Sequence, residues 1–141
     1  MEYRRFNHAP KISGELLNMA NSGTSLRLIS GIVAALCDSE VELDGDDSLK
    51  TRPIQPLLKS FNELGAEALS VNNNGCCPIK IKGKMSGGST DINGITSQYI
   101  SSLLLACPLL EQDTKITVIN PHELPYIRMT LKCVKPLLIN C

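Results

Sequence analysis

Apolar residues recur at helical spacing in four segments of the chain. The members of each set lie one, three or four positions apart: Leu26, Ile29, Val33 and Leu36; Leu57, Leu58, Phe61 and Leu64; Ile100, Leu103, Leu104 and Cys107; Tyr126, Met129, Cys133 and Val134. Residues at this spacing share one face of a helix, so each set predicts an amphipathic helix. We expect Pro53 in the first turn of the second helix and Gly65 at its end. The third and fourth helices are expected to stop near Pro108 and before Pro136.

Short segments between these helices alternate apolar and polar residues. In the segment 40–44, Val41 and Leu43 alternate with acidic residues, which is typical of a strand with one face in water. Further strands are predicted at 66–71, 78–82, 89–92 and 115–119. The turn-forming sequence Asn72–Gly75 joins the second and third of these strands into a hairpin. Helices that alternate with strands predict a mixed α/β fold.

The predicted helix starts repeat along the sequence. Thr24 and Pro53 mark two starts that are 29 residues apart, and Thr96 and Pro125 mark two more at the same separation. The second pair follows the first by 72 residues. The pattern predicts two consecutive α/β modules of similar order rather than two unrelated domains.

Composition excludes some classes of function. Of 141 residues, 43% are hydrophobic and 20% are charged, and the formal net charge is zero, a balance typical of a folded soluble protein. Such a chain lacks the basic field that nucleic-acid binding usually needs. No apolar run approaches the roughly 20 residues of a membrane span, and the N-terminal residues do not resemble a secretory signal. We therefore expect a cytoplasmic protein with no nucleic-acid or membrane partner.

The six cysteines raise the question of a disulfide scaffold or a metal site. None forms a C-x-x-C pair, and only two histidines are present. Zinc sites usually take their ligands in closely spaced pairs, so no metal site is predicted. Cys37 and Cys107 end apolar helical segments and are interpreted as small buried side chains.

Small polar residues open two of the predicted helices. The segment Asn21–Arg27 places hydroxyl groups and Gly23 at a helix N-terminus, where unpaired N–H groups and the helix dipole favour an anion. The alternative is an ordinary N-cap, which Ser, Thr and Asn form in many helices. Thr96, Ser97 and Gln98 open the third helix in the same way, and the same two interpretations apply to them.

Arg52 is a further candidate for anion binding. It precedes Pro53, which favours an extended backbone at position 52. Its guanidinium can bind a carboxylate or a phosphate through two parallel hydrogen bonds. The alternative is an exposed arginine paired with Asp46 or Asp47. The pattern alone leaves both interpretations open.

These segments resemble motifs of the 5-enolpyruvylshikimate-3-phosphate (EPSP) synthase family. Asn21–Arg27 is similar to the family's N-[AS]-G-T-x-x-R segment, and Asp44–Ile54 contains a match to G-D-x-x-[LM]-x-x-R-P-[IM]. Gly94–Tyr99, followed by Leu103–Pro108, resembles the S-S-Q-[YF] helix, and Pro125–Leu131 resembles P-Y-x-x-[MI]-T-L. Four motifs in the same order form a specific combination.

The resemblance implies a fold and a division of the chain. Family members consist of two globular domains, each built from three βαβαββ units, with the active site in the cleft between the domains. Residues 1–20 are then expected to be the tail of a preceding unit, and residues 21–85 the first βαβαββ unit. Residues 86–141 are expected to form a second unit that is truncated at its C-terminus. The chain is thus expected to cover about a third of an enzyme, all from one domain.

The resemblance also implies the reaction and the residues that hold its substrates. Members transfer the enolpyruvyl group of phosphoenolpyruvate to the 5-hydroxyl of shikimate 3-phosphate and release phosphate, in chorismate and aromatic amino acid biosynthesis. They use no metal and no cofactor. By matching motif, phosphoenolpyruvate is expected to contact Gly23, Arg52 and Gln98. Shikimate 3-phosphate is expected to contact Thr96, Ser97, Gln98 and Tyr126.

The sequence departs from the family pattern in ways that bear on activity. Glu123 stands where the family often has a phosphate-contacting Ser, and a carboxylate repels a phosphate. The early Lys-Ser…Arg motif is not found in residues 1–20, and the proton-transfer residues belong to the opposite domain, so no catalytic residue is expected here. We expect the chain alone to be inactive, to bind either substrate weakly and to need the remainder of the enzyme. The alternative is a non-catalytic anion-binding α/β module that keeps the fold.

Overall fold

The order of helices and strands agrees with the predicted α/β repeat. The computed structural model describes residues 16–138. Its elements are β1 (Leu16–Asn18), α1 (Gly23–Leu36), β2 (Val41–Asp44), α2 (Gln55–Glu63), β3 (Glu67–Ser70), β4 (Ile79–Lys82), β5 (Gly88–Asn93), α3 (Ser97–Ala106), β6 (Thr114–Ile119) and α4 (Leu124–Leu138). The order β-α-β-α therefore occurs twice, with a pair of strands after the first copy. The mixed α/β class and the predicted helices and strands are confirmed.

Two sheets correspond to the two copies of this order. The first has the strand order β1-β2-β4-β3, in which β1 and β2 are parallel and β4 is antiparallel to both of its neighbours. The second sheet consists of β5 and β6, which are parallel. Each parallel pair is connected by a helix, α1 or α3, as parallel strands require. The hairpin predicted between β3 and β4 is confirmed.

Strand β1 lies within the residues that were expected to belong to a preceding unit. Residues 1–20 were expected to be the tail of a preceding unit, yet Leu17 of β1 pairs with Leu43 of β2. The first β-α-β-α-β-β order is complete only when it is counted from β1. Residues 1–15 and 139–141, the rest of the predicted tail and the end of the second unit, lie outside the described residues.

The core lies between the first sheet and the helices. The predicted inward positions of β2 and α2 are all fully or almost fully buried: Val41, Leu43, Leu57, Leu58, Phe61 and Leu64. Side chains from the neighbouring β4 close the same core: Ile79 and Ile81. Burial of one such large apolar side chain contributes about 1.5–3 kcal/mol, so this core is the main source of stability for the first module.

Two prolines lie elsewhere than predicted relative to the helices. Helix α2 begins at Gln55, and Pro56 occupies its first turn, so the placement of Pro53 in that turn was wrong. Helix α4 continues through Pro136 to Leu138, so its predicted end was also wrong. A proline in the last turn removes only one backbone hydrogen bond, which the packing of the rest of the helix can offset.

Helix α4 buries only Val134 of its predicted apolar stripe, together with Ile127, which was not part of it. Ile127 and Val134 are buried, whereas Tyr126 is 58% exposed and Met129 is 57% exposed. Cys133 is exposed as well. The predicted helix was right, but apolar residues lie on more than one of its faces, and the spacing alone does not identify the face that packs.

The structure bears on three features that the sequence raised: the burial of two cysteines, a metal site and a membrane span. Cys37 is buried as predicted, whereas Cys107 is only partly buried. Between residues 16 and 138, no three His, Cys, Asp or Glu side chains come together as they would around a metal ion. Within the same residues, no helix has the length and hydropathy that a membrane crossing requires.

Helices α1 and α3 pack against each other closely and join the two modules. A Cβ atom added at Gly31 of α1 would lie 2.8 Å from the carbonyl oxygen of Ser102 in α3, with the Ser102 hydroxyl closer still. That hydroxyl donates a hydrogen bond of 2.6 Å to the carbonyl oxygen of Arg27. Near the helix starts, Gln98 of α3 contacts Thr24 of α1. Residues near the start of one helix contact residues near the start of the other, and residues further along do the same. The two helices therefore run in the same direction from neighbouring N-termini.

We predict that Gly31→Ala destabilises the protein. The added methyl group meets a backbone carbonyl that cannot rotate away, and overpacking of this kind typically costs about 1–3 kcal/mol. The better helix propensity of Ala offsets only about 1 kcal/mol of that cost. Urea unfolding followed by circular dichroism measures the difference from the wild type.

The matched control distinguishes the steric clash with the carbonyl of Ser102 from the clash with its hydroxyl. Gly31→Ala is compared in the wild type and in a Ser102→Ala background, where the hydroxyl is absent. We expect the substitution to remain destabilising in that background, by a smaller amount. If Gly31→Ala were as stable as the wild type, the backbone of α3 at Ser102 would have to lie further from Gly31 than the structure shows.

Candidate functional site

The N-terminus of α1 has backbone N–H groups available for a ligand. Ser22 is the N-cap, and its hydroxyl oxygen accepts a hydrogen bond of 3.1 Å from the Ser25 N–H. Among residues 16–138, the N–H groups of Gly23 and Thr24 have no acceptor. The ordinary N-cap is thus present, and it leaves two donors unused at the positive end of the helix.

Two guanidinium groups lie beside these free donors. A Cβ atom added at Gly23 would lie 3.1 Å from Nη1 of Arg52 and 3.8 Å from Nη1 of Arg27. Glycine at position 23 therefore lets the Arg52 side chain lie directly against the start of α1. This end of the helix combines a partial positive charge with two full ones, which is an arrangement suited to an anion.

Arg52 is exposed, and the described carboxylates near it form no ion pair with it. Among the described residues, no ion pair within 4.0 Å joins Arg52 to Asp46 or to Asp47. The Asp46 carboxylate instead accepts hydrogen bonds from the Leu49 N–H at 3.0 Å and from the Ser48 hydroxyl at 2.9 Å. These bonds, the one from Leu49 first, hold the pKa of Asp46 below its usual range. The guanidinium of Arg52 remains available.

Arg27 differs from Arg52 because its guanidinium is hydrogen-bonded to other parts of the protein. Its Nη1 donates to Oε1 of Gln98 at 2.6 Å, and its Nη2 donates to the carbonyl oxygen of Pro53 at 3.4 Å. Its guanidinium carbon also lies 5.3 Å from the centre of the Tyr99 ring. The Tyr99 hydroxyl donates to the same Pro53 carbonyl at 2.6 Å. Arg27 and Tyr99 thereby fix the segment that carries Arg52.

Gln98 connects the N-termini of α1 and α3. Thr96 is the N-cap of α3, and its hydroxyl oxygen accepts a hydrogen bond of 3.3 Å from the Gln98 N–H. The Gln98 side-chain amide donates to the Thr24 hydroxyl at 2.9 Å while its oxygen accepts from Arg27. The amide is therefore held in one orientation between the two helix starts.

Glu123 occupies the N-terminus of α3. Its Oε2 accepts hydrogen bonds from the Ser97 N–H at 3.0 Å and from the Ser97 hydroxyl at 2.8 Å. These bonds, the backbone one first, hold the pKa of Glu123 below its usual range, so the carboxylate is charged at neutral pH. Glu123 has a φ of 54°, a conformation that is uncommon for residues other than glycine.

The structure brings most of the predicted site residues together. Gly23 lies against Arg52, and Thr24 is hydrogen-bonded to Gln98, which follows Thr96 and Ser97 at the start of α3. Tyr126 lies in the first turn of α4 with its side chain mostly exposed, and among residues 16–138 its hydroxyl forms no hydrogen bond with this group.

Sequence reasoning missed the parts played by Arg27, Tyr99 and the Glu123–Ser97 contact. Arg27 and Tyr99 both stand inside the motifs quoted above, so their motif positions were the available signal.

The fold and this group of residues define an α/β protein of repeated modules, with a cationic, donor-rich surface where two modules meet. The sequence model described as EPSP synthase (3-phosphoshikimate 1-carboxyvinyltransferase) matches residues 3–140. The chain therefore belongs to the EPSP synthase family.

Relatives and a solved structure agree with this assignment. The 3-phosphoshikimate 1-carboxyvinyltransferase of Acetivibrio thermocellus is 46% identical over 127 residues, which are 89% of this chain and 30% of that protein. The protein of the same name from Methanothrix thermoacetophila is 43% identical over 137 residues, 96% of this chain and 32% of its own length. EPSP synthase from Acinetobacter baumannii superposes with a TM-score of 0.71 at 30% identity, over 85% of this chain and 27% of that one. The chain thus spans about a third of the length of its relatives.

We predict that the two arginines affect stability differently. Arg27→Met removes hydrogen bonds from a charged donor and a cation–ring contact, so we expect a loss of about 2 kcal/mol in the free energy of unfolding. Arg52→Ala removes an exposed side chain without a described partner, so we expect a change within about 0.5 kcal/mol. Urea unfolding of both variants tests the contrast.

Arg128→Ala is the control, because Arg128 is an exposed arginine on α4. It is expected to match Arg52→Ala. If Arg52→Ala were as destabilising as Arg27→Met, Arg52 would be a structural residue and its availability for a ligand would be refuted.

Proposed function

We propose that this chain is the part of an enolpyruvyl transferase that holds both of its anionic substrates. The enzyme transfers the enolpyruvyl group of phosphoenolpyruvate to the 5-hydroxyl of shikimate 3-phosphate and releases phosphate. The observation that carries the proposal is the meeting of two helix N-termini, α1 with Arg52 and α3 with Ser97, across the shared side chain of Gln98. Both substrates carry several negative charges, which such a surface stabilises.

Phosphoenolpyruvate is assigned to the N-terminus of α1. The free N–H groups of Gly23 and Thr24 can donate to a phosphate or carboxylate oxygen, and Arg52 can bind the same anion through two parallel bonds. Since Arg52 has no described partner to leave, binding breaks no ion pair of the protein. Gln98 is held within reach of the same helix start by Thr24 and Arg27.

Shikimate 3-phosphate is assigned to the N-terminus of α3. Thr96 and Ser97 supply hydroxyl groups and Ser97 supplies an N–H group that can bind its phosphate. Tyr126, exposed at the start of α4, is proposed to line the ring side of the ligand. Gln98 then lies between the two ligands. The names of the relatives support this enzymatic function over a non-catalytic module.

The cytoplasm is the proposed compartment of the enzyme. Cys76, Cys77, Cys107 and Cys133 are thiols, which suits a reducing environment. The remainder of the enzyme is the proposed partner, because the chain spans about 30% of the relatives named above.

The binding proposal predicts a selective response to the two substrates. In a titration of the 15N-labelled chain with shikimate 3-phosphate, the amide signals of Thr96, Ser97 and Gln98 are expected to shift. Phosphoenolpyruvate is expected to shift the Gly23 and Thr24 signals in the wild type and much less in Arg52→Ala, because the guanidinium supplies two of the bonds.

The control variant is again Arg128→Ala, which is expected to respond to phosphoenolpyruvate like the wild type. Shikimate, which lacks the phosphate, is the control ligand for α3. If neither helix start responded to either substrate at millimolar concentration, the proposed site would be wrong.

A second prediction concerns turnover. We expect no phosphate release above background from the purified chain with both substrates, because the proton-transfer residues are expected in the opposite domain of the enzyme. Added to a polypeptide that carries the rest of the Acetivibrio thermocellus relative, the chain is expected to restore measurable release. Turnover by the chain alone, or no gain on mixing when the two polypeptides are shown to associate, would contradict the proposal.

A further inference from the structure

The two modules place opposite charges at equivalent helix starts. In the first module, the segment that enters α2 brings the guanidinium of Arg52 to the N-terminus of α1. In the second module, the segment that enters α4 brings the carboxylate of Glu123 to the N-terminus of α3. The equivalent connecting segments of the two modules therefore supply opposite charges. The segment before α2 supplies the cationic Arg52, which attracts an anion, and the segment before α4 supplies the anionic Glu123.

The donors at the start of α3 are already occupied. Both the N–H and the hydroxyl of Ser97 donate to the same oxygen of Glu123, and the N–H of Gln98 donates to Thr96. At the start of α1, by contrast, two N–H groups have no acceptor among residues 16–138. A ligand can therefore bind at α1 directly, whereas at α3 it has to replace a charged group.

We infer that Glu123 is a specificity-determining residue that occupies the phosphate position at α3 and must leave before the phosphate of shikimate 3-phosphate can bind there. The inference rests on the proposed function, which assigns that phosphate to Ser97. A carboxylate and a phosphate cannot both accept from the same two donors, and two anions within hydrogen-bond distance repel each other. Because Glu123 is exposed, its side chain has solvent into which it can turn.

The test compares Glu123→Ser and Glu123→Gln with the wild type. Serine removes the competing carboxylate, and glutamine keeps a hydrogen-bond acceptor at the same length while it removes the charge. We expect the dissociation constant for shikimate 3-phosphate to fall about tenfold in Glu123→Ser and by a smaller factor in Glu123→Gln. In both variants the ligand no longer has to break the charge-assisted hydrogen bonds between Glu123 and Ser97. Calorimetry gives the constants, and the Ser97 amide signal locates the binding.

Two controls exclude a general effect of charge or of folding. Glu111→Gln removes one negative charge from an exposed position outside the site and is expected to leave the dissociation constant unchanged. Shikimate without its phosphate is expected to bind all four proteins equally. If Glu123→Ser does not fold, Glu123→Gln alone decides the matter, because its amide oxygen can still accept from Ser97.

The outcomes separate this inference from the function on which it rests. If the Ser97 signal shifts with shikimate 3-phosphate in every protein and the dissociation constants agree within about twofold, the site stands and the role of Glu123 is refuted. If Ser97 responds in none of them, the proposed function itself fails. Tighter binding of the phosphorylated ligand alone, in both Glu123 variants, supports the inference.

Discussion

The close packing of α1 against α3 is the constraint on which the rest of the structure depends. Gly31 allows the backbones of the two helices to approach at Ser102, and the hydroxyl of Ser102 is bonded to the carbonyl oxygen of Arg27. Since both helices run in the same direction, this contact also sets the distance between their N-termini. A larger residue at position 31 would separate the two modules and with them the groups that face a common ligand.

Arg27 extends that constraint to the loop before α2. The guanidinium of Arg27 contacts Gln98 and the Tyr99 ring of α3 and the carbonyl of Pro53, so both α3 and this loop are held to α1 by a single charge. Arg52 lies in the same loop but remains exposed. Arg27 therefore has a structural role: it holds the loop that carries Arg52, while the guanidinium of Arg52 stays free of hydrogen bonds within the described part of the chain. An isolated surface ion pair contributes only about 0–1 kcal/mol, so leaving Arg52 unpaired costs the fold little.

Periodicity and turn chemistry were sufficient to predict the four α-helices, the strands β2 to β6 and the hairpin, because each depends on neighbours in sequence, whereas the short strand β1 was not predicted. The helix face of α4 was not predictable in this way, since the choice between Ile127 and Tyr126 is made by packing against α3. Motif positions brought Gly23, Arg52 and Gln98 into one predicted site, which agrees with their observed proximity. The contact between Glu123 and Ser97 joins residues 26 positions apart through a loop with an unusual backbone, and no local pattern reports it.

Duplication of a module does not by itself produce two equal binding positions. Both copies present a helix N-terminus with the same partial charge, so the difference between them has to come from what the connecting segments add. Arg52 raises the positive potential at α1, whereas Glu123 cancels it at α3 and satisfies the donors of Ser97. Binding of an anion is therefore expected to be more favourable at the start of α1 than at the start of α3. Two loop residues, Arg52 and Glu123, are enough to create that asymmetry, because the helix dipole contributes the same partial charge at both starts.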